Sequence, residues 1–174
     1  MRYILLVFAF LLTSCSYETP PNVTPQKDFE LQRYLGTWYE IARLDHRFER
    51  GMEQITATYS LREDGGVKVL NRGYKTREGK WSEAEGKAYL LKDKETGFLK
   101  VSFFGPFYGS YIVMDTDYES YTMISGPDYS YFWILSRTPK LEAKTLKRLL
   151  NKAQKLGFAT DKLIYPQQVA TATR

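Results

Sequence analysis

The stretch Gly36-Thr37-Trp38-Tyr39-Glu40-Ile41-Ala42-Arg43 decides the fold, because it predicts the first strand of a β-sheet and the way the chain enters it. Gly36 lets the backbone bend sharply before the strand. If Trp38 points inwards, strand alternation puts Glu40 and Ala42 on the same face. A short helix, Leu31 to Leu35, precedes the strand. This stretch therefore predicts a strand with one face turned towards a core.

Further short alternating segments follow, most of them closed by turn residues such as Asp64-Gly65-Gly66 and Gly105-Pro106. With the first, they predict strands at Thr37–Asp45, Ile55–Arg62, Val67–Tyr74, Trp81–Lys92, Phe98–Phe104, Ser110–Met114, Ser120–Ser125 and Tyr129–Arg137. Eight strands with short connections indicate an all-β, antiparallel up-and-down barrel. Such a barrel is just wide enough to hold one small ligand or to be filled by side chains.

After Pro139 the apolar spacing changes from two residues to three and four. Leucines and an alanine between Leu141 and Leu156 recur at helical spacing and stop at Gly157, which predicts one amphipathic helix. We expect its apolar stripe to pack against the outside of the barrel; a helix lying on a membrane surface is the rival interpretation. A final apolar stretch, Lys162 to Tyr165, predicts a short strand.

The N-terminus has the pattern of a targeting segment. Arg2 precedes an apolar run from Tyr3 to Leu12 that is too short to span a bilayer. It ends in Leu12-Thr13-Ser14-Cys15, which resembles the bacterial lipobox; the alternative is a signal peptide whose cleavage site happens to contain a cysteine. The resemblance implies that residues 1–14 are removed and that Cys15 is acylated.

The residue after Cys15 bears on location. In lipoproteins of this kind an Asp there favours the inner membrane, and Ser16 therefore favours a lipid anchor in the outer membrane, facing the periplasm. Residues 15–30 contain three prolines and predict an extended tether that holds the domain near the membrane without docking against it. Residues 31–174 then form the folded domain.

Composition excludes several classes of function. The chain of 174 residues has 25 basic and 20 acidic side chains spread along its length, which is typical of a solvated surface rather than a nucleic-acid binder. One Cys and one His allow neither an internal disulfide nor a zinc cage nor a Cys–His catalytic pair. We therefore expect no metal and no cofactor.

Three motifs in order resemble the signatures of the lipocalin family. They are Gly36-Thr37-Trp38, the turn Thr116-Asp117-Tyr118, and Arg137 at the end of the last strand. Longer segments, such as Ser102 to Tyr108, resemble the bacterial outer-membrane lipoproteins of that family, which are related to apolipoprotein D. The likeness extends from about Leu31 to Gln168. Apolipoprotein D-type relatives carry disulfides that a chain with one Cys cannot form.

The resemblance implies a barrel with a helix outside, with Trp38 plugging the closed end and Arg137 lying across its indole. It also implies fatty acids or lysophospholipids as ligands and allows a homodimer. Strand parity, checked against the family pattern, points these side chains into the barrel: Glu40, Ala42, Ile55, Ala57, Val67, Val69, Ala84, Ala88, Val101, Phe103, Tyr111, Val113, Tyr131 and Trp133. A register error of one residue would invert any of these sets.

The small residues of this set leave room where leucines would fill the barrel, which predicts an apolar binding cavity. His46 is expected to be exposed in a loop at the mouth, where Arg47 or Arg50 could meet a lipid phosphate. Three functions remain open. The first is lipid binding at the membrane. The second is catalysis, disfavoured because Glu40 is the only acid inferred to point inwards. The third is a scaffold with a filled barrel that binds a partner through its surface.

Overall fold

Eight strands close into an antiparallel barrel in the computed structural model, which describes residues 17–91 and 95–169. Each strand pairs with the next, and the last pairs with the first, so the predicted up-and-down barrel is confirmed. In chain order the elements are α1 (Leu31–Tyr34), β1 (Gly36–Arg43), β2 (Met52–Leu61), β3 (Val67–Lys75), β4 (Lys80–Leu90), β5 (Phe98–Phe104), β6 (Phe107–Thr116), β7 (Tyr121–Ser125), β8 (Phe132–Ser136), α2 (Ala143–Leu156) and a 3-10 turn (Thr160–Lys162).

The predicted strand from Lys162 to Tyr165 is wrong. Only one residue of it, Ile164, bridges to the barrel, exchanging both backbone hydrogen bonds with Arg43 at 2.8 and 3.0 Å. The 3-10 turn takes up the residues before it. Pro166, which has no backbone N–H to donate, lies two residues after Ile164 and ends the pairing with β1.

A β-bulge in β1 changes which side chains face the interior. The register of β1 against β8 shifts between Glu40 and Ala42, so one extra residue stands on β1. Glu40 remains inside the barrel, while Ala42 packs outside it with residues such as Ile134 and Leu149. The expected inward orientation of Ala42 is therefore wrong. Arg43, three residues after Glu40, is fully buried beside it.

Two hydrophobic cores hold the barrel together. The inner core fills the closed end around Trp38, and the outer core lies between the barrel and α2. Leu149 and Ala153 of α2 are fully buried there, and Gly157 ends the helix in the left-handed conformation that glycine adopts without strain. The predicted helix outside the barrel is confirmed. The rival interpretation is wrong, because protein covers the apolar stripe.

The segment before α1 is docked on the barrel, so the expectation of an undocked tether is wrong for it. Val23 and Phe29 are buried. The Gln26 N–H donates to the Val113 carbonyl, the Gln26 carbonyl accepts the Gly97 N–H, and the Phe29 N–H donates to the Glu95 carbonyl, each at 2.8 Å. The two apolar side chains among the prolines provide this attachment. The proposed signal peptide and Cys15 lie outside the described residues.

No helix within residues 17–91 and 95–169 combines the length and the apolar character needed to cross a bilayer.

Candidate ligand-binding site

The closed end of the barrel is built on Trp38, which has no exposed surface. Its indole N–H donates to the Tyr34 carbonyl at 2.9 Å, and the Arg137 guanidinium carbon lies 3.7 Å from the ring centre. This is a cation–π contact on the solvent side of the plug. Trp38 and Arg137 therefore have the geometry that the resemblance implied.

Arg137 also fastens three segments that meet at this end. It donates to the carbonyl oxygens of Tyr118, Arg33 and Thr37 at 2.9, 2.7 and 3.2 Å. A side chain at Gly36, whose φ is +97°, would lie 3.3 Å from its guanidinium. Glycine is required there both for the backbone angle and for this close approach.

The turn of the second motif is held by its own side chains. Asp117 accepts backbone N–H groups from Glu119, Ser120 and Tyr121 at 2.7 to 3.1 Å. The Thr116 hydroxyl donates to the Tyr121 carbonyl and accepts the Tyr118 N–H. These residues stabilise the closed end and lie outside the cavity wall.

Above Trp38, three tyrosine hydroxyls form a hydrogen-bonded floor. The Tyr111 hydroxyl lies 2.7 Å from those of both Tyr34 and Tyr59. Burial raises the pKa of Tyr34 to about 12 and the pKa values of Tyr59 and Tyr111 well above their usual range. The floor is therefore neutral at physiological pH, with its polar groups satisfied by one another.

The upper half of the barrel encloses an open cavity of about 450 Å³. Its wall is mainly apolar, with polar groups at two places. Lining residues include Glu40, Phe48, Glu49, Met52, Ile55, Ala57, Tyr59, Val69, Asn71, Arg72, Ala84, Val101, Phe103, Phe104, Phe107, Tyr111, Tyr131 and Trp133. The aromatic rings of Phe48, Phe104 and Phe107 are exposed. A concave apolar site with a few placed polar groups is the usual form of a small-molecule site.

Of the fourteen side chains expected to point inwards, all but Val67 were proposed to contact a ligand, and the structure brings ten of these thirteen into this wall. Ala42, Ala88 and Val113 are absent from it. Ala42 is displaced by the bulge, whereas Ala88 and Val113 face inwards but pack against Trp38 and its neighbours in the inner core, as Val67 does. The large residues at the closed end fill that half of the barrel, so inward orientation alone does not place a residue in the cavity.

Two buried carboxylates, rather than one, line the cavity, and both contact Arg43. Arg43 donates to Glu40 Oε1 at 2.9 Å and to the Glu49 carbonyl at 3.0 Å, and its Nε lies 3.9 Å from Glu49 Oε2. The Trp133 indole donates to Glu49 at 3.1 Å. The expectation that Glu40 is the only acid pointing into the barrel is therefore wrong. Glu49 escaped notice because it lies in a loop without periodicity.

Burial controls the charge of this cluster. Loss of solvent, followed by the nearby Glu49 carboxylate, raises the pKa of Glu40 to about 8, against the opposing effect of Arg43. Burial also raises the pKa of Glu49. At neutral pH the two carboxylates share less than two negative charges, which the one guanidinium largely balances. The cluster is a nearly neutral polar patch in an apolar wall.

His46 is buried, so its expected exposure is wrong. Its ring stacks on Phe48 and Tyr131 at 5.4 and 5.1 Å and lies 4.4 Å from Trp133. Burial, and then Arg43, lower the pKa of His46 to about 4. Phe48 from the same loop and the sequence-distant Tyr131 and Trp133 hold it as a neutral packing residue.

The basic residues at the mouth also differ from expectation. Arg50 is bound to Asp45 at 2.6 Å, and neither Arg47 nor Arg50 lines the cavity. Arg72 does, with its guanidinium carbon 4.0 Å from the Trp81 ring centre and its Nε 3.4 Å from Glu83. Tyr59 and Asn71 were also missed, although alternation with Ala57 and Val69 would have found both.

Known proteins resemble this chain in both sequence and fold. A lipocalin-like domain model matches residues 29–168. The chain belongs to the lipocalin family. It is 52% identical over 170 residues to the outer membrane lipoprotein Blc of Vibrio cholerae, covering 97% of this chain and 99% of that protein. Apolipoprotein D of Rattus norvegicus is 36% identical, covering 74% of this chain and 71% of its own.

The fold of this lipocalin also matches solved structures. Insecticyanin from the tobacco hornworm Manduca sexta superposes with a TM-score of 0.72 at 23% identity, covering 88% of each chain. With its bacterial relatives, this lipocalin is a lipid-anchored protein of the outer membrane and a binding protein rather than an enzyme.

Proposed function

We propose that this lipocalin binds one long single-chain lipid, a fatty acid or a lysophospholipid, inside the barrel. The observation that supports it is the apolar cavity of about 450 Å³ above a sealed, neutral floor. Trp38 and the tyrosines close one end, so a ligand enters only from the mouth. Such a shape fits an elongated apolar chain with its polar end outermost.

The energetics favour a chain of substantial length. Each methylene that leaves water contributes about 0.8 kcal/mol, which must exceed the cost of immobilising the ligand and ordering its chain. We expect roughly micromolar affinity, rising with chain length until the cavity is full. A diacyl phospholipid should bind less well, because the cavity accommodates one chain.

The polar end of the ligand is expected to stay at the mouth. Arg72 is the basic side chain that lines the cavity in the described part of the chain, and it lies near the rim with Trp81 and Glu83. Deeper in the wall, Glu40 and Glu49 are already paired with Arg43 in a nearly neutral cluster, which offers an anionic carboxylate or phosphate no net positive charge. The charge distribution therefore favours insertion of the apolar end first.

The proposal includes the anchor. We infer that Cys15 carries the acyl chains, that residues 1–14 are removed, and that the barrel faces the periplasm from the outer membrane. Several acyl chains give firm anchoring, whereas one chain alone is marginal.

A titration of delipidated protein tests the ligand proposal. The mature chain carrying Cys15→Ser is titrated by calorimetry with monomeric fatty acids and lysophospholipids of graded length. Ala57→Trp fills the cavity wall and should abolish binding while the fold survives. Thr58→Trp is the matched control, because Thr58 faces outwards next to Thr37, with the two hydroxyls 3.0 Å apart.

Affinity independent of chain length, or unchanged in Ala57→Trp, would contradict the proposal and favour the scaffold hypothesis. The scaffold hypothesis requires a barrel filled by side chains, and the open cavity of about 450 Å³ argues against it. Light scattering of the same samples tests the homodimer that the family resemblance allows.

A further inference from the structure

The docked N-terminal segment determines where the membrane anchor leaves the domain. Tyr17 and Val23 pack at the outer core, the layer between the barrel and α2. The Tyr129 hydroxyl donates to the Pro21 carbonyl, and its ring lies 5.2 Å from Phe158, directly after the end of α2. From there the chain runs back to Tyr17, whose ring centre lies 5.9 Å from Lys100 Nζ of β5, so it leaves the outer-core side of the barrel beside α2.

Little chain remains between this docked segment and the anchor. Cys15 precedes Tyr17 by two residues, and two residues span at most about 7 Å. A tether with a reach of tens of ångströms would let the barrel turn freely above the membrane. With so short a connection, the α2 side of the domain has to lie close to the lipid surface.

The outward face of α2 is strongly basic. Lysines, one arginine and one asparagine at three- and four-residue spacing line a groove along it, opposite the buried Leu149 and Ala153: Lys144, Lys147, Arg148, Asn151, Lys152 and Lys155. We call this set the basic face. Asp115 is the acid that pairs with it, at 2.7 Å from Lys152 and 3.6 Å from Arg148. Tyr121 lies under Arg148.

Five cations against one carboxylate leave this face with a net charge of +4. Among the described residues no ion pair engages Lys144, Lys147 or Lys155. Like charges three and four residues apart on a helix repel one another. An anionic surface would relieve that repulsion and gain from each lysine, and phospholipid headgroups next to the anchor provide such a surface.

We propose that the basic face of α2 rests on the anionic phospholipid surface in which Cys15 is anchored, so that the barrel lies with α2 towards the membrane. The proposal rests on the inferred anchor at Cys15 but not on what the cavity binds. Acyl chains supply attachment, and the basic face supplies orientation. The attraction between the basic face and the phospholipid surface should weaken as salt is added, because screening shortens the range of these charges to about 3 Å at 1 M.

Lysine footprinting tests this orientation. Acylated protein is reconstituted in phosphatidylcholine vesicles with or without phosphatidylglycerol and treated briefly with a water-soluble acetylating reagent. We expect Lys144, Lys147 and Lys155 to react several-fold more slowly with phosphatidylglycerol present, and at equal rates in high salt. Lys68 and Lys80 are internal references, because β3 and β4 contribute no described residue to the buried part of the outer core.

A charge-matched pair of variants separates position from net charge. In the first, Lys144, Lys147 and Lys155 become Gln; in the second, Lys68, Lys80 and Lys87 do. The slower acetylation of Lys152 in the presence of phosphatidylglycerol should be lost in the first variant and retained in the second. Circular dichroism should be unchanged in both. By the usual gain per basic residue near an anionic surface, each lysine removed should weaken the contact about fivefold.

Equal reaction rates in both vesicle types, or equal loss of protection in both variants, would overturn the proposal. Slow acetylation of these lysines in pure phosphatidylcholine vesicles as well would also overturn it, because it would show steric shielding by any membrane rather than attraction to anionic headgroups. Failure of the anchor itself is distinguishable, since unacylated protein would not float with the vesicles at all.

Discussion

Trp38 and Arg137 show how two side chains close one end of a barrel. The indole supplies a large apolar area that water cannot reach, and the guanidinium covers its outer side while binding three carbonyl oxygens. The stacked pair therefore combines burial with hydrogen bonding across segments that are far apart in sequence. Neither residue lines the cavity, so their role is structural.

Trp38→Ala should reduce the free energy of unfolding by about 3–5 kcal/mol, because it leaves a cavity in the closed end. Arg137→Ala should cost less, since a cation–π contact contributes about 0.5–2 kcal/mol. Urea denaturation measures both, with the exposed Thr37→Ala as control. A fully stable Trp38→Ala protein would contradict the assignment of this residue as the plug.

Glu40 should make stability depend on pH. Its pKa is about 8 in the folded protein and about 4.5 in the unfolded chain, so the folded state binds the extra proton between these values. Stability therefore falls as pH rises through this window. His46, whose pKa is lowered to about 4, makes stability rise with pH up to its unfolded pKa of 6.5 and has no effect above that value.

The window between pH 6.5 and 8 therefore isolates the carboxyl cluster. Glu40→Gln should flatten the decline of the unfolding free energy across it, whereas Glu63→Gln, at an exposed position, should leave it unchanged. An equally steep decline in Glu40→Gln would show that another group carries the proton.

At the scale of elements, a bulge determines which side chains line the cavity, and a docked segment determines how the closed end is covered. The bulge in β1 moves Ala42 to the outer core and brings Arg43 next to Glu40, which creates the polar patch of the cavity. The segment before α1 seals the opposite end, where Phe29 packs 5.3 Å from Tyr34. Both features depend on contacts that periodicity does not describe.

Phe29→Ala should therefore destabilise the domain by about 3–5 kcal/mol, the usual cost of truncating a buried phenylalanine. Lys27→Ala, at an exposed position of the same segment, is the control. Thermal unfolding monitored by circular dichroism compares the two. If Phe29→Ala melts like Lys27→Ala, the segment contributes no stability and the domain begins at Leu31, as the sequence had predicted.

At the scale of the whole molecule, acylation at Cys15 joins a lipid-binding barrel to a membrane. Cys15→Ser should give a folded protein that no longer fractionates with outer membranes, because several acyl chains are lost at once. Ser16→Ala, which leaves the cysteine in place, should fractionate like the wild type. A Cys15→Ser protein that stays with the membrane after a high-salt wash would contradict the acyl anchor.

The sequence by itself determined the architecture. Alternation of period two, turn residues and the change to helical spacing after Pro139 act locally, so they predict eight strands and one outer helix without knowledge of contacts. The Trp38 and Arg137 motifs likewise placed the closed end. Ten of the thirteen residues proposed to contact a ligand lie in the cavity wall, because side chains alternate between the two faces along a regular strand.

Only the tertiary structure decided where that regularity ends. The bulge that removed Ala42 inserts one residue into β1, and no local signal marks it. Whether Ala88 or Val113 touches a cavity depends on how far Trp38 and the tyrosines fill the barrel, which is a property of packed volume. The burial of Glu49 and His46 and the docking of Phe29 depend on partners distant in sequence, and such contacts exist only once the barrel has closed.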